Sequence, residues 1–248
     1  LGSYPGGVGG YNGWLKDVRI INGTAIYTSD FSVPTAAHGG TGTTTVEASQ
    51  GGFEDQARNR VLVEETGSTA ISTSFKKFGL SSLFLDGNSD RAVYNGDDIV
   101  LGNKDFTMEC WFYMTASAGT SHSTVHTLFG KMGGASTRGF NIQVHGTTGL
   151  AMQYSTNGAQ SSQSSFGFNL TPSLNTWHHM AVVRRGGTLT GYLDGTAGSS
   201  THNIGSNSIY DNGANFEIGY KSISSGGYFP GYIDCLLYTS PSPRDRLS

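Results

Sequence analysis

The most informative pattern of apolar and polar positions lies in residues 177–195. Residues 177–184 (WHHMAVVR) are apolar at four successive positions, 180–183, so that both faces of a strand would be apolar. Such a run is typical of a strand inside a layered sheet. Residues 189–194 instead alternate between apolar and polar side chains, which is the period of a strand with one buried face. Gly186 and Gly187 separate the two segments and predict a tight β-hairpin turn.

Further short apolar runs, separated by glycine, asparagine and serine, extend this pattern along most of the chain. No segment shows the 3.6-residue period of an amphipathic helix. Short strands at this spacing are typical of a β-sandwich. The predicted strands are 61–63, 83–94 with a turn at Asp86–Gly87, 106–114, 127–131, 139–144 and 150–154.

Five segments resemble, in the same order, the laminin-G-like or concanavalin A-like jelly-roll domains. They are 78–87 (FGLSSLFLDG), 105–112 (DFTMECWF), 177–195, 216–219 (FEIG) and 231–234 (GYID). The resemblance implies an all-β fold, a two-sheet antiparallel jelly-roll sandwich of the concanavalin A-like type. Because lectins, adhesion modules, hydrolases and structural repeats share this fold, it implies no single function.

The first residues of the chain repeat a segment near its end. Residues 1–16 align with 218–234, and similarity over so long an offset indicates duplicated domains rather than a short-period solenoid. We therefore expect 1–35 to be the C-terminal end of an upstream laminin-G-like copy. Residues 36–45, rich in Gly, Thr and Ala, are expected to be a linker. Residues 46–234 are predicted to be a second copy that lacks its last strand.

The resemblance ends at Asp234, where the family continues with a final strand. Residues 235–245 (CLLYTSPSPRD) instead match the translation of a transposase adapter used to prepare sequencing libraries. We interpret 235–248 as a non-native, adapter-derived tail, and a natural proline-rich tail in the polyproline II conformation is the alternative. A missing last strand leaves an open sheet edge, and we expect residues 11–27 to fill it.

Composition narrows the class of protein. The chain has 248 residues and a formal net charge of -3, so it lacks the basic surface that nucleic-acid binding requires. No apolar run approaches the roughly 20 residues of a membrane-spanning helix. Abundant Ser, Thr, Asn and Gly predict an extracellular or virion-surface location. Cys110 lies on the apolar face of a predicted strand and is expected to be a buried free thiol, whereas Cys235 falls in the tail.

The sequence predicts no catalytic residues and hence no enzyme. Glycoside hydrolases that share the fold place carboxylates close together, as in Glu-x-Asp-x-x-Glu, and the retaining mechanism needs two carboxyl groups about 5 Å apart. Glu64 and Glu65 are adjacent and therefore point to opposite faces of a strand. The same argument separates His178 from His179, which we expect to be packed or hydrogen-bonded rather than to chelate a metal ion.

The resemblance implies one structural calcium ion near the place where the chain enters and leaves the domain. Carboxylate and carbonyl oxygens are the ligands that calcium prefers. The candidate metal ligands are Glu54, Asp55 and Asp234, with Asp86 and Asp90 as a second set. The alternative is that aspartates in such turns serve the backbone, since Asp side chains accept hydrogen bonds from nearby N–H groups.

The predicted function is a non-catalytic ligand-binding or adhesion module, directed to a glycan or another host-surface ligand. The resemblance is closest to tandem-repeat surface or virion (tail-fibre-like) proteins of environmental phages and bacteria, with further copies of the domain. The alternatives are an accessory carbohydrate-binding domain of a secreted glycoside hydrolase and a structural spacer. Tyrosines could stack on sugar rings but also fit ordinary sheet positions, so no ligand-binding residue is assigned. The available ones are Tyr94, Tyr154, Tyr210, Tyr220 and Tyr228.

Overall fold

The computed structural model describes residues 62–79, 81–94, 99–121, 123–222 and 227–239. They belong to one compact unit, Leu62–Pro241. Several predictions lie outside the described residues. These concern the upstream copy at 1–35, the linker at 36–45, the placement of 11–27 and the tail from residue 240 onward.

The described unit consists of 14 strands in two antiparallel sheets of seven strands each. The strands are β1 (Leu62–Thr66), β2 (Ala70–Ser72), β3 (Ser82–Asp86), β4 (Arg91–Tyr94), β5 (Phe106–Met114), β6 (His126–Met132), β7 (Arg138–His145), β8 (Gly149–Ser155), β9 (Gln163–Gly167), β10 (Trp177–Arg185), β11 (Thr188–Leu193), β12 (Thr196–Asn203), β13 (Phe216–Ile218) and β14 (Pro230–Thr239). The first sheet has the order β1-β4-β13-β6-β7-β8-β9, and the second has β12-β11-β10-β5-β14-β3-β2. The predicted two-sheet antiparallel sandwich is confirmed.

Strand β5 lies in the middle of the second sheet and shows the burial pattern that its sequence predicts. Its apolar face is buried between the sheets, and the residues between are half-buried. The buried residues are Phe106, Met108, Cys110, Phe112 and Met114. Cys110 is a free thiol, as predicted, and burial raises its pKa well above its ordinary value.

The predicted hairpin consists of β10 and β11. Strand β10 pairs with β5 on one side and with β11 on the other, so it lies inside the sheet as its apolar run predicts. Gly186 and Gly187 have φ angles of 56° and 82°, in the left-handed region that a two-residue hairpin turn requires. A Cβ on Gly187 would also lie 2.4 Å from the carbonyl oxygen of Gly205, so the turn needs glycine there for space as well.

Strands β9 and β12 are not among the predicted strands. Each lies at the edge of a sheet, and β12 (TAGSSTHN) has no apolar face that alternation could reveal. The middle of a sheet requires apolar side chains toward the core, whereas an edge strand can be held by backbone pairing on one side.

Strand β14 continues past Asp234, the residue at which the resemblance to the family was predicted to end. After a bulge, residues 237–239 pair with residues 107–109 of β5, and Cys235 in the bulge has a φ of 51°. Residues 235–239 therefore extend β14 into the position of the last strand, which was predicted to be missing from 46–234. Backbone pairing of this kind does not depend on particular side chains, so the adapter origin of these residues stays a prediction.

Candidate ligand-binding site

Strands β6, β7 and β8 are buried along almost their whole length. One face of this part of the first sheet is apolar and faces the core. The other face, called the polar face below, carries Thr127, Asn141, Gln143, Gln153 and Ser155, all of them buried. The register places Thr127 opposite Gln143 and Asn141 opposite Gln153. Directly opposite side chains in a sheet are neighbours, so these residues form one continuous polar row.

Several side chains of the polar face contain a buried atom that lacks a hydrogen-bond partner in the described chain. They are Oγ1 of Thr127, Oδ1 of Asn141 and Oε1 of Gln153. The Asn141 amide donates to Oε1 of Gln143 at 2.9 Å, so the row is only partly satisfied by itself. An unpaired buried polar atom costs about 1–3 kcal/mol, and such groups normally bind water or a ligand. The polar face is therefore suited to bind a ligand that forms hydrogen bonds.

The polar face opens to solvent at strand β9, the last strand of the first sheet among the described residues. Gln163, which pairs with Ser155, is half-buried. Ser165, which pairs with Gln153, is exposed. The polar row thus runs from the buried middle of the sheet to its edge, where the exposed Ser165 lies directly opposite the buried Gln153.

Tyr210 lies beside this opening, against the turn that follows β8. Its backbone N–H donates to the carbonyl oxygen of Ser155 at 2.8 Å. A Cβ on Gly158 would lie 2.6 Å from the Tyr210 ring, and Gly158 has a φ of 86°, so this approach requires glycine. The tyrosine remains 38% exposed. An exposed aromatic ring next to a polar surface is the arrangement that stacks on a sugar ring.

The other four candidate tyrosines are buried, hydrogen-bonded or stacked on other side chains of the protein. Tyr94 and Tyr154 are buried, and the Tyr154 hydroxyl is hydrogen-bonded to Nε2 of His202 at 3.0 Å. Tyr220 is buried and stacks on the half-buried Tyr228, with 4.6 Å between ring centroids. Of the five, Tyr210 is therefore the one available for stacking on a ligand.

Two buried cationic side chains, Arg138 and Lys221, form hydrogen bonds with glutamines of the polar face and its opening. Arg138 donates from a terminal guanidinium nitrogen to Oε1 of Gln163 at 2.7 Å, and its Nε is buried without a partner. Lys221 donates from Nζ to Oε1 of Gln143 at 3.0 Å. Burial lowers the pKa of both side chains. For Lys221 the nearby charge of Arg138 adds to this effect, and the pKa falls to about 8.

The first set of predicted metal ligands is only partly described. Glu54 and Asp55 lie outside the described residues. Asp234 is buried, and its Oδ2 accepts the backbone N–H groups of Lys77 at 2.9 Å and Phe78 at 3.0 Å. Among the described residues, no three His, Cys, Asp or Glu side chains lie together in a way that could hold a metal ion. The calcium ion stays a prediction.

Asp86 and Asp90, the second set, lie together at the turn between β3 and β4. Asp90 is buried, and its carboxylate accepts the backbone N–H groups of Ser68 and Asp86. Oδ1 of Asp86 accepts the N–H of Asn88 at 2.7 Å. Burial, reinforced by the Asp86 carboxylate, raises the pKa of Asp90. These contacts are the backbone roles that aspartates take in turns.

His178 is buried and hydrogen-bonded, as predicted. Its Nδ1 lies 2.6 Å from Oδ2 of Asp194, and its Nε2 accepts the hydroxyl of Ser173 at 2.9 Å and the Ser173 N–H at 3.1 Å. These distances are those of a nucleophile, base and acid triad. However, the single lone pair of Nε2 is shared with a backbone N–H, so the imidazole also holds the loop that carries Ser173.

The two-sheet antiparallel sandwich with a polar, partly open face defines a lectin- or glucanase-like β-sandwich. Residues 86–239 match the laminin G family described as the concanavalin A-like lectin/glucanases superfamily. Because the match spans more than half of the chain, the protein belongs to this family. No curated protein matches the chain. Among the described residues, no helix is long and apolar enough to cross a membrane.

Solved structures with the same fold include proteins that bind carbohydrate. Domain 4 of AbnA, an extracellular arabinanase of glycoside hydrolase family 43 from Geobacillus stearothermophilus, was solved with arabinotriose. It is 17% identical with a TM-score of 0.53, and the match covers 73% of this chain and 80% of that one. The binding domain of botulinum neurotoxin DC in complex with SialylT is 11% identical with a TM-score of 0.52, over 77% of this chain and 46% of that one. The chain thus spans less than half of the toxin domain, and these likenesses establish the fold.

Proposed function

We propose that the protein is a non-catalytic carbohydrate-binding module that binds a saccharide through the polar face and its opening at β9. The observation that carries the proposal is the row of buried amides and hydroxyls with unpaired oxygen atoms. A sugar hydroxyl both donates and accepts, so it can satisfy the unpaired oxygen of Gln153 while it accepts from Ser165. Tyr210 supplies an aromatic ring beside the same opening.

The biological setting follows as part of the proposal. A glycan-binding sandwich with predicted tandem copies serves adhesion in a secreted, surface or virion protein, because repeated weak sites gain affinity when they bind together. The likeness to domain 4 of an extracellular arabinanase supports an accessory module of a glycoside hydrolase as the second candidate. A spacer without a ligand would have no reason to keep unpaired polar atoms in a buried face.

The replacement of Gln153 by methionine is expected to lower the affinity for the saccharide at least tenfold. Methionine has a similar volume but cannot hydrogen-bond to sugar hydroxyls. The free energy of unfolding should stay within about 1 kcal/mol of the wild-type value or rise. The unpaired Oε1 is removed, and the hydrogen bond that Nε2 donates to Ser165 is long at 3.4 Å. A glycan array identifies the ligand, calorimetric titration measures affinity, and urea denaturation measures stability.

The control for this experiment is Asn103→Leu, an equally simple change from amide to alkyl in an exposed turn. It should leave both affinity and stability unchanged. If Gln153→Met binds the array ligand as tightly as the wild type, the site lies elsewhere. If the array shows no ligand at all, the spacer interpretation replaces the proposal.

The proposal that the module is non-catalytic implies that Ser173, although hydrogen-bonded to His178, is not an activated nucleophile. We expect a fluorophosphonate probe, which captures activated serines, to leave the protein unlabelled, because Nε2 of His178 is shared with the backbone N–H of Ser173. Ser173→Ala should cost about 1 kcal/mol or less of stability, since the N–H contact survives. Labelling that disappears in Ser173→Ala would show instead that the chain is a serine hydrolase.

A further inference from the structure

The described residues include four buried cationic side chains: Lys131, Arg138, Arg184 and Lys221. A buried charge is costly unless its surroundings compensate for it. The compensation differs between two pairs of these residues, and the difference indicates what the polar face binds.

Lys131 and Arg184 have the partners expected of structural cations. Nζ of Lys131 lies 2.9 Å from Oδ1 of Asp211 and forms an ion pair with it. The guanidinium of Arg184 donates to three backbone carbonyl oxygens, at 2.9–3.0 Å. These carbonyls belong to Gly102, Gly205 and Asn207. The contacts with Arg184 hold the loops that contain these residues in place.

Arg138 and Lys221 have no such compensation among the described residues. Each donates to one side-chain amide oxygen, in Gln163 and Gln143 respectively. Neither takes part in an ion pair with another described residue. Arg138 is 6% exposed and Lys221 is 1% exposed. Nε is buried without a partner in both Arg138 and Arg184, so the two arginines differ in what their terminal guanidinium nitrogens bind.

Glu217 of β13 is a buried acid on the same face, since it pairs with Gly130, which pairs with Asn141. Its carboxylate accepts the hydroxyl of Ser222 at 2.6 Å and the Ser222 N–H at 3.0 Å.

The two cations act on the same surface. Gln143 and Gln163, which accept hydrogen bonds from the two cations, lie on the polar face and at its opening. The charges are near enough that Arg138 lowers the pKa of Lys221, so they repel each other. Two repelling cations in a largely buried polar row are more stable when an anion lies between or beside them. Guanidinium and ammonium groups bind carboxylates and sulfates by charge-assisted hydrogen bonds.

We infer that the saccharide bound at the polar face is acidic, and that Arg138 and Lys221 bind its anionic group. This inference rests on the proposed function and names the class of its ligand. Gln153, Ser165 and Tyr210 then contact the neutral part of the saccharide, while the two cations select for its charge. The net charge of the whole chain is -3, so this preference would come from the site rather than from the overall charge.

The test compares matched acidic and neutral ligands on the whole protein by calorimetric titration. The probes are uronic acid trisaccharides and 3′-sialyllactose, each beside its carboxyl-reduced form, and a sulfated trisaccharide of similar size. We expect the acidic form to bind at least tenfold more tightly than the reduced form. A preference for carboxylated or sulfated ligands identifies which anion the two cations accept.

Arg138→Gln and Lys221→Met should each reduce the preference to about threefold or less while binding of the reduced form is retained. Lys104→Met, which removes a charge from an exposed position, should leave the preference unchanged. Equal affinity for acidic and reduced forms in the wild type overturns this inference and leaves the proposed function standing. Failure of every acidic and neutral saccharide to bind overturns the proposed function itself.

Discussion

Replacing Asp234 with alanine is expected to lower the free energy of unfolding by about 2–4 kcal/mol. The buried carboxylate accepts two backbone N–H groups, from Lys77 and Phe78, and hydrogen bonds to a charged acceptor are stronger than neutral ones. Alanine would leave both N–H groups without this partner. Lys77 and Phe78 lie in the segment between β2 and β3, so the loss of both hydrogen bonds should loosen this whole segment.

That segment covers aromatic side chains on the outer face of the second sheet. The Phe75 ring lies 4.5 Å from that of Tyr232, 4.8 Å from that of Tyr113 and 5.7 Å from that of Trp177, measured between centroids. Nζ of Lys77 lies 4.2 Å from the Trp111 ring. Loss of the Asp234 contacts should let this segment move away from the sheet and expose Trp111 and Trp177 to water. Their fluorescence should then shift to longer wavelength.

Urea denaturation measures the loss of stability, and Asp105→Ala is the matched control. The exposed Asp105 accepts one N–H, from Gly186 at 2.9 Å, so its replacement should cost less than about 1 kcal/mol. A loss below 1 kcal/mol for Asp234→Ala as well would show that the two backbone contacts do not hold the segment.

The same variant tests the predicted calcium ion. If calcium raises the melting temperature of the wild type but not that of Asp234→Ala, the carboxylate is a metal ligand. Equal melting temperatures in calcium and in chelator would dismiss the ion, and Asp234 would then have the backbone role alone.

Acidification from pH 6.5 to pH 4 is expected to remove about 3 kcal/mol of stability through His126 alone. Burial lowers the pKa of His126 to about 4, against an ordinary value of 6.5. The ring packs edge-on against Phe229, with 6.4 Å between centroids, and its Nδ1 is buried without a partner. Between these two pH values the unfolded chain binds a proton that the folded protein does not, so stability falls as the pH falls. The effect fades above pH 6.5, and from about pH 7.5 the residue is essentially neutral in both states.

His126→Leu removes this dependence, and the measurement is the difference in unfolding free energy between wild type and variant at pH 7.5 and at pH 4. At pH 7.5 the difference in unfolding free energy measures the effect of the substitution on packing. The change in that difference at pH 4 measures the cost of protonating His126 in the folded protein. Burial also lowers the pKa of His202, but this contribution is present in both proteins and cancels. A difference that is the same at both pH values would contradict the prediction.

The sequence predicted the parts of the fold in which burial leaves a local pattern. Alternation in β5 and the apolar run of β10 identified strands of the second sheet, and Gly186–Gly187 identified the turn, because one backbone geometry requires glycine there. Edge strand β12 was missed because its side chains need not be apolar.

The candidate site shows the limit of such reasoning. Asn141 and Gln143 alternate with apolar residues in β7, which by itself predicts one buried face and one face in water. In the structure both faces are buried, and Asn141 lies opposite the amide of Gln153 in β8. No local pattern distinguishes a buried polar face from a solvated one, and no sequence signal places Lys221 beside Gln143. Tyr210 could be named among five tyrosines, but its exposure depends on the turn at Gly158.

The sequence by itself therefore determined the all-β class, the hairpin, the buried thiol of Cys110 and the resemblance to the concanavalin A-like sandwiches, since each depends on residues that are close together in the chain. Only the tertiary structure decided that Asp234 binds backbone N–H groups and that strand β14 continues to Thr239. It alone brought Arg138, Lys221 and the amides of three strands to one surface. The reason is physical: the desolvation of a charge or an amide depends on everything packed around it, and those neighbours are distant in the sequence.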